Sequence, residues 1–495
     1  MDPQDLNVML VAGCGVVLLA VLAVRLTTRS GLPTLLLYLA LGLAIGEDGL
    51  GVELDDFQLA QNLALIALAL ILGDGGLTTR LDTLRPAGPL ALVLATVGVA
   101  ISVGVTAAGA YWLLDMDLRT ALLLGAIVSS TDAAAVFAVL RRLPLKPRLA
   151  ATLEAESGLN DAPVVVLVML LASDAWDGAT PWGIGAQVLY QLVVGAVIGL
   201  AVAWAGHWVL ARAALPTAGL YPLATLSILL LAYATASVAG ASGIIGVYLA
   251  GILLGNSTLP HHRATLAFSE GSASLAQIGL FVLLGLLADP SRLPGSFGEA
   301  LIAGVVLTFV ARPLSVVVLA RPMGLNWRES AFVSWAGLRG AVPIVLTTVP
   351  AAAGVAGSEQ IFDIVFLLVV VFVLLQGPTL PWAARVAGVT DETPTHEIAI
   401  ESAPLDELRA DVLEVDVPPG SRLAGVWTAD LRLPRGAALV LIVRDGQPDV
   451  PDAHSVLRVG DQLLIVTTRA VRAETEQRLR AVGRSGRLAG WLESR

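Results

Sequence analysis

Apolar runs long enough to cross a lipid bilayer recur from residue 7 to residue 387, and this recurrence restricts the fold more than any other feature of the chain. A helical crossing needs about 17 to 25 apolar residues. The hydrocarbon layer offers no water to peptide groups, so each crossing must satisfy its own backbone hydrogen bonds. Composition agrees: 56% of the residues are hydrophobic and 14% charged, against roughly 25% charged in a soluble domain. The expected fold class is a polytopic α-helical membrane protein. About thirteen spans are expected, over 7–24, 32–46, 59–73, 89–113, 118–140, 153–172, 183–210, 220–239, 243–256, 272–288, 297–320, 330–350 and 361–384. Asp2 and Asp5 stand where a signal peptide would be basic, so the first span is expected to be retained.

Arginine and lysine in short loops set orientation. Arg25, Arg29, Arg80, Arg85, Arg141, Arg142, Lys146, Arg148, Arg212, Arg263, Arg321, Arg328 and Arg385 fall in alternate loops, whereas the others hold Arg119 and Arg292 with acids such as Glu47, Asp48, Asp55, Asp56, Asp174 and Asp177. An odd number of spans with this bias puts the N-terminus outside and the C-terminus in the cytoplasm, in a cell inner membrane. The net charge of −10 comes without a basic patch, so no nucleic-acid partner is expected. The single cysteine, Cys14, forms no internal disulfide and is expected to be a packed thiol; no Cys/His metal spacing occurs.

Beyond Trp382 the apolar runs stop. Residues 389–403 are expected to be a linker, and 404–470 a small cytoplasmic α/β domain with strands near 412–417, 438–443 and 462–467. Residues 471–495 are expected to form a helical tail, on the surface or packed in a dimer. The stretch DVPPGSRLAGVWTADLRLPRGAALVLIVRDGQPDVPDAHSVLRVGDQLLIV, 416–466, resembles the TrkA-C (RCK-C) domain of potassium transporters and channels. That resemblance implies dimerisation and a small cytoplasmic regulatory ligand, with a nucleotide-type ligand among the candidates. A Rossmann phosphate-binding fingerprint is missing, so that route to a nucleotide is not expected.

Ionisable residues at membrane depth cost roughly 2.5 kcal/mol or more each and mark function. Here they are Asp74, Asp132, Glu154, Glu156, Asp161 and Arg339, with Arg312 near an inner span end, where it and Glu154 are as readily solvated. Helical spacing puts Ser157 and Asp161 on one face of the sixth segment, and Glu156 and Asn160 on the adjoining one. These residues form a polar edge at a helix end, where Ser157 could also act as a cap. In the fifth segment Ser129, Ser130, Thr131 and Asp132 interrupt an apolar run and favour local unwinding. Carboxylates, hydroxyls and free carbonyls suit a hard monovalent cation, and Asp132, Asp161, Ser157 and the Thr131 backbone supply them. A desolvated carboxylate also takes a proton more readily, so one acid could alternate between proton and cation. In the twelfth segment Gly337, Gly340, Pro343 and Pro350 break the helix. Interrupted segments at matching places in two halves point to an inverted-repeat transporter. There Arg339 would balance Glu156 or Glu154.

STDAAAVFAVL, ESGLNDAPVV, LGDGGL and GLRGAVP together resemble the NhaP-type branch of the monovalent cation:proton antiporters. The resemblance implies an NhaA-like fold of about 13 helices with helices 5 and 12 broken, a homodimer, and a cation site of Thr131, Asp132, Ser157 and Asp161. It further implies that Glu156 pairs with Arg339, and that Asn160 replaces the second aspartate of electrogenic relatives, making exchange one-for-one. Relatives often carry glutamate at the position of Asp74, so this shorter acid is a departure. The expected function is electroneutral potassium/proton exchange by alternating access, serving pH homeostasis, with no bound cofactor. Sodium/proton exchange and a regulated potassium channel are the alternatives; the channel lacks a TVGYG-like filter. Asp132 and Asp161 on successive spans also raise an intramembrane protease, but YD and GLGD motifs do not occur at them, so no enzyme is expected.

Overall fold

The structure is a computed structural model that describes residues 3–30, 34–46, 49, 51–52, 56–131, 145–178, 180–213, 215–257, 259–390, 400–405, 410–418, 420–444, 447–468 and 470–486. It divides into two compact units, Met1–Thr390 and Asp391–Arg495.

The first unit is helical throughout. It opens with α1 (Pro3–Ser30), α2 (Thr34–Ile45) and α3 (Phe57–Thr78). The helix α4 (Leu81–Val93) runs through a π turn (Leu94–Gly98) into α5 (Val99–Leu113), followed by α6 (Leu118–Ser129) and α7 (Pro147–Ala172). Next come α8 (Pro181–Arg212), α9 (Leu220–Val238), α10 (Gly243–Gly255) and α11 (His262–Leu286). A second π turn (Leu307–Ala311) joins α12 (Leu293–Val306) to α13 (Arg312–Ala320). The unit closes with α14 (Trp327–Trp335), α15 (Ala341–Ala352) and α16 (Ser358–Ala387). Among the described residues eight helices are long and apolar enough to cross a membrane, with five shorter apolar helices between them.

Burial separates two environments. α7 is buried over most of its length, including Glu156, Ser157, Asn160 and Asp161. By contrast α8 exposes Leu189, Val193, Val197 and Trp204, as expected where lipid rather than water is the neighbour. Cys14 is exposed, not packed, because α1 turns it outward alongside the exposed Leu10, Val11 and Leu18.

Glycine lets backbones touch where the layers are tightest. A Cβ on Gly251 would lie 3.0 Å from the Gly76 Cα, which presses α10 against α3. On its other side α10 meets α8, where a Cβ on Gly199 would lie 2.5 Å from the Gly246 Cα. Small residues permit this approach where lipid supplies no hydrophobic driving force between helices.

The second unit carries a five-stranded antiparallel sheet in the order β1-β2-β5-β3-β4. Its strands are β1 (Ile400–Leu405), β2 (Ala410–Asp416), β3 (Ala437–Arg444), β4 (Gln447–Asp449) and β5 (Gln462–Thr468). Alternation buries Leu413 and Val415 of β2 with Leu463 and Ile465 of β5. The helix α17 (Arg472–Ser485) adds Leu479 and Val482, both fully buried, to the same core. This helix is therefore part of the sheet unit's core and not a surface tail. β1 also begins inside the stretch expected to be a linker. Polar IESAPL carries little strand signal alone; its pairing with β2 supplies the reason.

Candidate functional site

The site forms where a helix stops beside one that does not. α6 ends at Ser129, and Ser130 turns extended (φ −64°, ψ 141°) in the middle of an apolar run. The Ser129 hydroxyl donates back to the Gly125 carbonyl at 2.6 Å, the local competition that loosens a helix end. α7 passes this end intact, having begun at Pro147. Ser157 consequently sits well inside α7, so the expected polar edge lies mid-helix and Ser157 is no cap.

Five side chains close the gap between the two helices. The Ser130 hydroxyl donates to Asp161 Oδ1 at 2.5 Å. The amide of Asn160 donates to Thr131 Oγ1 at 2.5 Å, and Thr131 Oγ1 lies 2.9 Å from Ser157 Oγ. Either hydroxyl can donate in the Thr131–Ser157 bond, since the Thr131 oxygen has a second lone pair beside the one engaged by Asn160. Ser130, Thr131, Ser157, Asn160 and Asp161 are each at most 2% exposed. Pro163, two residues beyond Asp161, brings no N–H, so the Leu159 carbonyl lacks its helical partner beside the acid. The arrangement is a buried carboxylate among hydroxyl, amide and carbonyl oxygens, a donor set suited to a hard cation or a proton. Asp132 lies outside the described residues. Asp74 is on α3, partly buried, with the Thr78 hydroxyl donating to its backbone carbonyl at 3.0 Å.

The buried charges pair differently from expectation. Glu156 meets Arg312, not Arg339: two parallel bonds join them, Nη1 to Oε1 and Nη2 to Oε2, the second at 2.9 Å. Arg312 is 5% exposed, so it is buried and not solvated. A π turn ends just before it, and such a turn has no signature in the sequence.

Arg339 has another task. It lies between α14 and α15, where residues 336–340 leave helical geometry, and it donates to the Val128 carbonyl and to the Gly337 carbonyl, each at 2.8 Å. One guanidinium thus ties the end of α6 to the second interruption. Gly337 gives the two arginines room: a Cβ there would stand 2.9 Å from Arg312 Nε and 3.0 Å from Arg339 Nη1, so both guanidinium groups would have to shift. Ser130 is the site residue that the sequence indicated only as part of an interruption, since a hydroxyl's partner is not readable from spacing.

Residues 16–386 match the family model described as sodium/hydrogen exchanger, transmembrane, and residues 412–480 match the TrkA-C domain. The chain is 37% identical over 476 residues to the K(+)/H(+) antiporter NhaP2 of Shewanella oneidensis, covering 94% of this chain and 82% of that protein. It is 34% identical over 461 residues to the K(+)/H(+) antiporter NhaP of Alkalimonas amylolytica, covering 92% and 80%. Among solved structures, the sodium proton antiporter MjNhaP1 of Methanocaldococcus jannaschii superposes with a TM-score of 0.68 at 22% identity, over 78% of this chain and 99% of that one.

Proposed function

Since the chain belongs to the family of transmembrane sodium/hydrogen exchangers, we propose that it exchanges a monovalent cation for a proton, with potassium the transported ion. The observation that carries this reading is the buried Asp161 carboxylate, bonded by Ser130 and neighboured by Thr131, Ser157 and Asn160 at a helix break. A single carboxylate in a low-dielectric site can be neutralised by a proton or by a cation, and the two exclude each other. Loading on one side and release on the other by alternating access then couples two opposed gradients. Asp132, one residue beyond Thr131, is the second carboxylate of the proposed site, and Asp74 a more distant supporting acid.

Asn160 carries no charge, so one exchangeable charge per cycle makes the exchange electroneutral. The amide steadies Thr131, and Glu156 with Arg312 and Arg339 holds the scaffold. The eight long and five shorter apolar helices support thirteen crossings, and the interruptions after Ser129 and after Trp335 support two broken helices in inverted repeats. The arginine-rich loops favour an inner membrane with the N-terminus outside and the sheet unit in the cytoplasm. In this reading the protein works as a homodimer, and residues 404–470 form a regulatory domain that takes a small ligand. Potassium is favoured because relatives named as K(+)/H(+) antiporters align along almost the whole chain.

The test is transport in proteoliposomes under an imposed pH gradient, with potassium, sodium, lithium and rubidium added in turn. Potassium is expected to dequench a pH dye most strongly; a response to sodium alone would reassign the ion. Charge build-up in unclamped vesicles would contradict one-for-one exchange. Deletion of 404–495 is expected to alter regulation while leaving exchange measurable.

A further inference from the structure

Tyr248 stands outside every motif that carries the ion site, in the stretch GVYLAGILLG of α10. It is 3% exposed. Glycine contacts pin α10 between α3 and α8, so the phenol is mounted on a backbone with little room to shift. From there the side chain crosses to α7 and brings the hydroxyl end of its ring against Gly158. A methyl group at 158 would sit 2.5 Å from the tyrosine Cζ and 2.8 Å from Cε2, and would overlap the hydroxyl oxygen as well. No side chain but hydrogen leaves space for the ring.

Gly158 adjoins Ser157, and Asp161 follows it by three residues on the same helix face. The phenol hydroxyl meets the Thr79 side chain just past the end of α3, and Asp161 and Glu154 are the carboxylates within electrostatic reach of it. The phenol therefore packs on α7 at Gly158, three residues before Asp161 and beside Ser157.

We propose that the Tyr248 ring, seated on Gly158, is the wall of the ion site and sets the size of cation that Asp161 accepts. The proposal rests on the exchange reading above and adds to it a specificity-determining residue that touches neither proton nor substrate charge. Sodium and potassium differ in radius and not in charge, so a fixed apolar wall discriminates between them through the space it leaves.

The experiment uses the full-length protein in proteoliposomes and measures the KM for lithium, sodium, potassium and rubidium. Four variants are compared: Gly158→Ala, Tyr248→Phe, Tyr248→Ala, and the double variant Gly158→Ala with Tyr248→Ala. Overpacking at 158 is expected to lower exchange about tenfold. Removing the ring is expected to shift the rubidium-to-sodium KM ratio about fivefold toward the larger ion, whereas Tyr248→Phe keeps the wild-type order of ions. The double variant is expected to recover exchange relative to Gly158→Ala, because the missing ring makes room for the methyl. A purely structural tyrosine would change the amount of folded protein and leave the KM ratio alone. An unshifted ratio in Tyr248→Ala, or a double variant no better than Gly158→Ala, overturns the proposal. Wild-type protein that responds to none of the four ions sinks the exchange reading and this proposal with it; an active wild type with the wrong variant pattern sinks the proposal alone.

Discussion

Ser130 gives its hydroxyl hydrogen to Asp161 at 2.5 Å, joining the end of α6 to the middle of α7. Both residues are at most 1% exposed, so water cannot replace the bond when it is removed. A hydrogen bond to a charged group is worth about 1.5–3 kcal/mol. Ser130→Ala is expected to raise the KM for the transported cation roughly tenfold or more, with Ser130→Thr retaining much of the wild-type affinity. The check is cation-dependent dequenching at fixed pH across a concentration series.

Glu156 and Arg312 form a buried bidentate pair, with Arg339 close enough to feel both. Removing one member of such a pair costs about 3–5 kcal/mol, while replacing both with apolar residues is often neutral. Glu156→Gln is expected to lower the thermal midpoint in detergent sharply, since two guanidinium groups would face each other uncompensated. The double variant Glu156→Leu with Arg312→Met should unfold at a higher temperature than either single variant. Equal destabilisation by the double variant would show that the pair is not a closed unit.

Arg339 links two interruptions through the Val128 and Gly337 carbonyls. Lysine keeps the charge but lacks the planar fork that reaches two acceptors at once. Arg339→Lys is therefore expected to reduce turnover about tenfold or more while costing about 1 kcal/mol of stability. If Arg339→Lys transports at the wild-type rate, charge alone accounts for the residue.

Two carboxylates outside the membrane make a pH prediction. Burial alone would raise the Glu329 carboxyl, but the Asn326 backbone N–H and the Lys146 ammonium at 3.0 Å outweigh it and hold the group below the ordinary carboxylate range. Burial likewise works against ionised Asp461, and Arg444, bonded to both its oxygens at 2.8 Å, with the Arg458 N–H at 2.7 Å, again prevails. A depressed folded pKa stabilises the fold fully above the unfolded value, about 4 for these groups, and that stability is lost as pH falls through the folded value. Stability from these two groups should be flat from pH 7 to 5 and decline only at pH values below about 4. Asp461→Asn should cost the sheet unit on the order of 2 kcal/mol at neutral pH, read as faster hydrogen exchange in the Gln462–Thr468 strand. Loss of protection already between pH 7 and 6 would contradict the assignment.

Much of this was legible in the residues themselves. Hydropathy located the apolar helices but not their ends, since α7 and α11 begin at Pro147 and His262, ahead of the spans expected from 153 and 272, and β2, β3 and β5 followed from alternation over a half-buried sheet. Thr131, Ser157, Asn160 and Asp161 could be brought together from spacing plus an interruption. The Arg312–Glu156 pair could not, since Arg312 follows a π turn in LTFVA that composition does not mark. Nor could β1, whose strand conformation comes from pairing with β2, or the Tyr248–Gly158 contact, which joins residues ninety positions apart through helix packing.

Competition between proton and cation at Asp161 is tested most directly by measuring the potassium KM in proteoliposomes from pH 9 down to pH 6, alongside Asp161→Asn. In wild type the KM should rise steadily as protons accumulate while the rate at saturating potassium stays high, and the asparagine variant, folded and inserted, should exchange nothing. A KM indifferent to pH, or exchange surviving in Asp161→Asn, would contradict the account.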